Sequence, residues 1–350
     1  LERINHKVEL DNYHFSGLEA SQIGALLSVL KYYKEPTSAS WIYGMTGMAF
    51  LLVHDHEFKQ PNAGPPDSQI FMLARNIGLD IEGVHTYAEQ DQFRALQQDM
   101  WHHAYTAIDQ GYPVFAKNLD IENQTSLVYG VDAEGYYTHS WHGGEGHENW
   151  DDVIPWDRLG LSYCPCRYCR SRSEPLNPIA SVPRLISLHW AKIIPAIEPL
   201  DALREALQFV IALNQQGVMY WHHHTYVVGE QAYIGWMKAL EHNKIEKYYF
   251  SLTIEAIADA RRNAVHFFNE LKDLGLGVSS DLIDEAMEKY TKIAAHYTHL
   301  VHKYPYEQPR ELLDDMDRQA CIEILQKLMQ DEKQALGILV KLLEQIETMG

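Results

Sequence analysis

Three thiols crowd into YCPCRYC, as Cys164, Cys166 and Cys169, and one more cysteine, Cys321, completes the set of 4 in 350 residues. A C-x-C-x-x-C spacing can bring thiolates to one zinc ion, but a tetrahedral structural site needs a fourth ligand and usually a second close pair. No such pair follows, so no metal is expected and the choice lies between a disulfide and free thiols. The stretch WHGGEGHENWDD at 141–152 mixes imidazoles with carboxylates. Its spacings match no established cation motif, and it reads as a solvated acidic loop. His222, His223 and His224 are consecutive, so on a strand or a helix their side chains diverge and at most two converge on one ion. His296, His299 and His302 recur at threes, which makes a slowly drifting ridge on a helix. GMTG at 44–47 lacks the lysine and the full glycine spacing of a phosphate loop. None of these groups calls for a cofactor.

A hydroxyl remains. Ser21 stands where an apolar helical pattern begins, a position that suits a helix N-cap or, alternatively, a substrate-contacting or nucleophilic group. An alcohol is a weak nucleophile unless a base stands beside it.

Bulk charge narrows the partners. Lys and Arg number 29 against 48 Asp and Glu, a net charge of −19, which repels phosphate backbones and anionic lipid. The longest strongly apolar run, at 42–53, has 12 residues and two glycines, short of the roughly 20 that span a bilayer. We therefore expect no nucleic-acid and no membrane partner, and a soluble, cytoplasmic protein; self-association into a homodimer is left open.

The elements that must position these residues come in two blocks. Ile23, Leu26, Leu27 and Leu30 form one helical stripe over 21–33. A short helix stopped by Gly78 and a return strand are expected over 65–83, then a helix over 90–111 carrying Phe93, Leu96, Met100, Ala104, Ala107 and Ile108. PVFAKNL, TSLVYGVD and GYYTHS read as strands separated by Gly or Asp. A helical start feeding a meandering antiparallel sheet is an α+β arrangement. Six prolines and little periodicity between Pro165 and Pro199 mark the expected domain boundary. Beyond it, 200–217, 231–242, 248–275, 280–304 and 310–347 give five helices and an all-helical bundle. The domains expected are 1–180 and 195–350.

The helix at 21–33, SASWIYGMTGMAF at 38–50, GYPVFAKNL at 111–119 and SLVYGVDAEGYYTHS at 126–140 resemble, in order and character, the butirosin biosynthesis protein H N-terminal family. That family is related to papain-like cysteine peptidases. GEQAYIGWMKAL at 229–240 and DARRNAVHFFNEL at 259–271 are similar to the helical companion domain that often follows it. The resemblance implies a papain-like fold over the first domain, with the nucleophilic thiol at the start of the first helix, where backbone N–H groups and the helix dipole stabilise a thiolate.

Carried over by position, the thiol falls at Ser21, the histidine at Gln124 with Thr125 beside it, and the orienting group at Ser140 just after His139. A hydroxyl, an amide and another hydroxyl cannot perform the usual thiol chemistry. The resemblance therefore implies a non-peptidase that binds a small molecule or peptide-like ligand in a degenerate cleft, with Ser21, Gln124, Thr125, His139, Ser140 and Trp141 as ligand-facing residues. Two alternatives stand beside it: an acyltransferase or amidase using Ser21, and an interaction scaffold working through the helical bundle.

Overall fold

The computed structural model describes residues 4–58, 64–121, 123–139, 153–162, 183–245, 247–306 and 313–349. In chain order its first elements are β1 Val8–Glu9, α1 Ser21–Tyr32, α2 Ala39–Met45, β2 Val53–Asp55, α3 Asp67–Met72, β3 Leu79–Ala88 and α4 Gln90–Asp109. There follow β4 Val114–Lys117, β5 Thr125–Val131, β6 Gly135–His139, β7 Ile154–Pro155 and β8 Arg184–Ile193. The later elements are α5 Pro199–Gln216, β9 Val218–Trp221, β10 His224–Val228, α6 Glu230–Glu241, α7 Lys247–Leu274, α8 Ser280–Lys303 and α9 Asp315–Met349. This is the α+β class, an antiparallel sheet in the earlier half and long helices in the later one.

Two compact units share the chain. The first comprises Leu1–Thr37 with Gly78–Pro195, the second Ser38–Ile77 with Ala196–Gly350. The expected domains ran 1–180 and 195–350; the first unit runs on to Pro195, and 38–77 groups with the helices instead of the sheet.

In the first unit the strands run in the order β3-β8-β4-β5-β6-β7, every pairing antiparallel, and β1 adds to β5. The sheet is covered by α4, which packs on β3, β4, β5 and β8, and by α1 on β5. Strand β8 corrects the reading of 165–199 as a boundary without regular structure. RLISLHWAKI lies between β3 and β4 with most of its residues buried. Burial on both faces removes the polar alternation that betrays a strand, and its prolines, Pro183 and Pro195, flank the ladder and do not interrupt it.

In the second unit the five long helices begin and end close to where the periodicity placed them. Gly217, at φ +67, closes α5 by bonding its N–H to the Leu213 carbonyl, a left-handed cap that glycine adopts without strain. Among the described residues the helical run is interrupted by a hairpin of β9 and β10, to which β2 adds as a third strand. The His222-His223 pair is its turn, and His222 takes φ +51. The turn is therefore written in histidine instead of the Asn-Gly that marks most such hairpins.

Close packing sets two constraints in this unit. Helix α2 meets α7 at Gly44, where an added Cβ would stand 2.2 Å from the Phe267 ring. His54 on β2 is 2 % exposed, its ring 4.5 Å from that of Trp236 and 5.1 Å from Phe58, and its Nε2 has no hydrogen-bond partner. Burial pushes its pKa down to about 3.

Gly44→Ala should cost about 1–3 kcal/mol, the range for overpacking a dense contact, measured as a shift in the urea midpoint. For His54 the unfolded chain protonates first, near pH 6.5, so its contribution is complete above that pH and is lost as pH falls toward about 3. Between pH 7 and pH 5 the wild type should lose about 2 kcal/mol more stability than His54→Phe. Equal losses in the two proteins would show that His54 titrates normally in the fold.

Candidate functional site

The first turn of α1 faces the beginning of β5. Ala20, not Ser21, is the N-cap of α1, and it makes no side-chain capping bond. The reading of Ser21 as an N-cap is thereby corrected. Ser21 is the first helical residue, 6 % exposed, and its Oγ accepts a hydrogen bond from the Thr125 backbone N–H at 3.0 Å. The helix hydroxyl and the strand that the resemblance assigned to the base are thus joined directly.

The loop from β4 to β5 fixes that meeting. Asn118 and Asn123 both take left-handed conformations, φ +57 and φ +61, which asparagine tolerates better than most residues. The Asn118 side-chain oxygen accepts from the Asn123 N–H at 2.6 Å, and the Asn118 N–H donates to the Gln124 carbonyl at 3.2 Å. Gln124 is 8 % exposed and Thr125 1 %, and the Thr125 Oγ1 has no hydrogen-bond partner. A buried hydroxyl in that condition is uncommon, because leaving it unpaired forfeits the bonds it made to water.

Further along the ladder, His139 pairs across from Leu127, two positions from Thr125 and on the same face of the sheet. Its ring stacks on Tyr129 at 4.5 Å and lies 5.1 Å from His14. Burial, with a smaller effect from His14, lowers its pKa and favours the neutral imidazole. Among the described residues no imidazole is hydrogen-bonded to the Ser21 hydroxyl; its partner is the Thr125 amide. Of the six expected ligand-facing residues, Ser21, Gln124, Thr125 and His139 are brought to one end of the sheet, while Ser140 and Trp141 lie outside the described residues.

Cys164, Cys166 and Cys169 also lie outside the described residues. Cys321 is a free, buried thiol, and burial pushes its pKa up to about 11, which makes it a poor nucleophile at neutral pH. No group of three or more His, Cys, Asp or Glu could hold a metal ion among the described residues. His296 on α8 reaches 4.0 Å from Asp331, while His299 and His302 are exposed. No described helix is long and apolar enough to cross a membrane.

Asp120 and Arg261 are among the buried charged groups that the sequence does not single out. Asp120, 1 % exposed, accepts from the Ser126 hydroxyl at 2.6 Å and the Ile121 N–H at 2.8 Å, and its second oxygen has no partner. Strand alternation puts Ser126, and with it the bond to Asp120, on the opposite face of the sheet from the Thr125 side chain. Arg261, on α7, is wholly buried in the second unit. Its sequence signal is position: it continues the apolar stripe of Ile254, Ile257 and Ala258, where a surface arginine does not belong.

No family model matches the chain, and no characterised protein matches it either.

Ser21→Ala removes the acceptor of a buried N–H and should cost about 1–3 kcal/mol in urea unfolding, with faster hydrogen exchange at the Thr125 amide. An unchanged midpoint and unchanged exchange would mean that the bond contributes nothing to the fold.

Proposed function

We propose that the chain is a non-peptidase member of the papain-like fold that binds a small molecule or peptide-like ligand beside Ser21, Gln124, Thr125 and His139. The observation that carries this reading is the hydrogen bond from the Thr125 N–H to the Ser21 Oγ. A nucleophilic serine needs its oxygen free to attack and its proton in contact with a base. Here the oxygen is already an acceptor in a structural bond and no described imidazole takes the proton. The position that would be chemical in the related peptidases serves instead to hold a helix against a strand. Beside it, the Thr125 hydroxyl can both donate and accept, and a ligand group would give it the partner that the protein does not.

The test is to release and weigh what the purified protein carries. Mass spectrometry under native and then denaturing conditions should show a small molecule retained by the wild type and lost or reduced in Ser21→Ala and Gln124→Ala, with all three proteins folded by circular dichroism. Amide or ester turnover that disappears in folded Ser21→Ala would favour an acyltransferase or amidase instead. Peptide cleavage that disappears on alkylation of the cysteines would overturn the reading altogether.

A further inference from the structure

His14, in the segment between β1 and α1, meets His139 at the end of β6 with ring centroids 5.1 Å apart and planes tilted by 51°. Both rings are held from behind. His139 sits in the ladder opposite Leu127 and stacks on Tyr129 at 4.5 Å. His14 lies between two anchors: the Tyr13 hydroxyl donates to the Val114 carbonyl at 3.1 Å, and the Ser16 N–H donates to the Ser28 hydroxyl oxygen at 3.0 Å. Neither imidazole is hydrogen-bonded among the described residues, and neither is among the buried groups left without a partner, as His54 is. His14 is exposed and His139 partly so. Their nitrogens are thus spare and open to solvent.

The separation selects the ligand. Zinc takes an imidazole nitrogen at about 2.0–2.1 Å, which puts each ring centre roughly 3.2 Å from the ion and two rings at a tetrahedral angle about 5 Å apart. All but one edge of an imidazole carries a nitrogen, and turning the ring over exchanges nitrogen for carbon, so two facing rings can offer a nitrogen each. The neutral imidazole is the ligating form. Burial, and then His14, lowers the pKa of His139 and keeps it in that form at neutral pH. The charges alongside are already matched. Lys7 lies over the Tyr137 and Tyr129 rings at 4.0 and 5.5 Å and is paired with Glu9 at 2.6 Å, while Asp132 accepts from the Tyr137 hydroxyl at 2.6 Å. The net charge of −19 favours a cation over an anion.

We propose that His14 and His139 form a two-imidazole site for one divalent cation of the zinc type, with water in the remaining positions. Two protein ligands are one fewer than a catalytic zinc site has, so the ion is held loosely and exchanges. The site rests on these two histidines and not on the reading of Ser21; its response to zinc is read whether or not a ligand is retained beside Ser21.

Zinc chloride titrated into the full chain should shift the His14 and His139 imidazole resonances together and saturably in the micromolar range, and magnesium, which prefers oxygen ligands, should leave both unmoved. His14→Gln and His139→Gln should each weaken the response of the remaining partner at least roughly tenfold, since even groups outside the ligand shell are worth about 10–100-fold in metal affinity. His14 is exposed, so His14→Gln should melt close to the wild type; if His139→Gln does not fold, His14→Gln carries the test. The chain has 19 histidines, and shifts confined to others, with His14 and His139 unmoved, would mean an adventitious ion only and overturn the site. A His139 response of wild-type affinity in folded His14→Gln would overturn the pairing. Equal shifts from magnesium would overturn the assignment to imidazole nitrogen.

Discussion

A guanidinium that water cannot reach must find its acceptors in the protein, and much of the second unit is arranged around that requirement. Arg261 projects from α7 and is met by a carboxylate from α9 and by two main-chain carbonyls of the segment that follows α2. Three stretches of sequence far apart in the chain are thereby held by one side chain. Burial pushes the Glu332 carboxyl up in pKa against the pull of Arg261, and the Tyr233–Tyr297 pair lies alongside. Losing either charged partner of such a pair typically costs about 3–5 kcal/mol, because the survivor stays buried without compensation. Replacing both with apolar groups is often tolerated, so the pair is better understood as fixing which segments meet than as a large net source of stability.

In the first unit the corresponding constraint is smaller and lies at one end of the sheet. The β4–β5 loop turns twice through left-handed asparagines, and this geometry presents the Thr125 N–H to α1. One hydroxyl acceptor is enough to satisfy it. The first helix and the fifth strand are consequently in register, and His139 falls on the same face as Thr125.

The parts of this structure that sequence made legible are those with one buried face. The stripe on α1 and the periodicity of the later helices gave boundaries within about five residues, since a helix with one apolar face carries its period openly. Strand β8 was invisible because it is buried on both faces, and the β9–β10 hairpin because its turn is made by two histidines. Ser21 was found by its place at the start of a helix, but its role depended on which neighbour reached it, and that neighbour is 104 residues away. Arg261 was passed over because an arginine within a helix is ordinarily solvated. Only its alignment with Ile254 and Ile257 distinguishes it. The grouping of 38–77 with the helices leaves no local trace at all, since it arises from contacts made by residues more than a hundred positions later.

That interleaving has a bearing on how the chain comes to be folded as it is synthesised. The sheet unit has all of its residues once position 195 has emerged from the ribosome, but 38–77, already made, then belongs to nothing. This stretch must wait as a loop, with Ile42, Met45, Phe50 and Leu52 uncovered, until α5 to α9 follow. At about 5–20 residues per second the remaining 155 residues, from 196 to 350, take on the order of ten seconds. During that interval an apolar segment from early in the sequence is exposed while its partners do not yet exist. Any interruption of the chain between 196 and 350 would leave 38–77 without the helices it groups with.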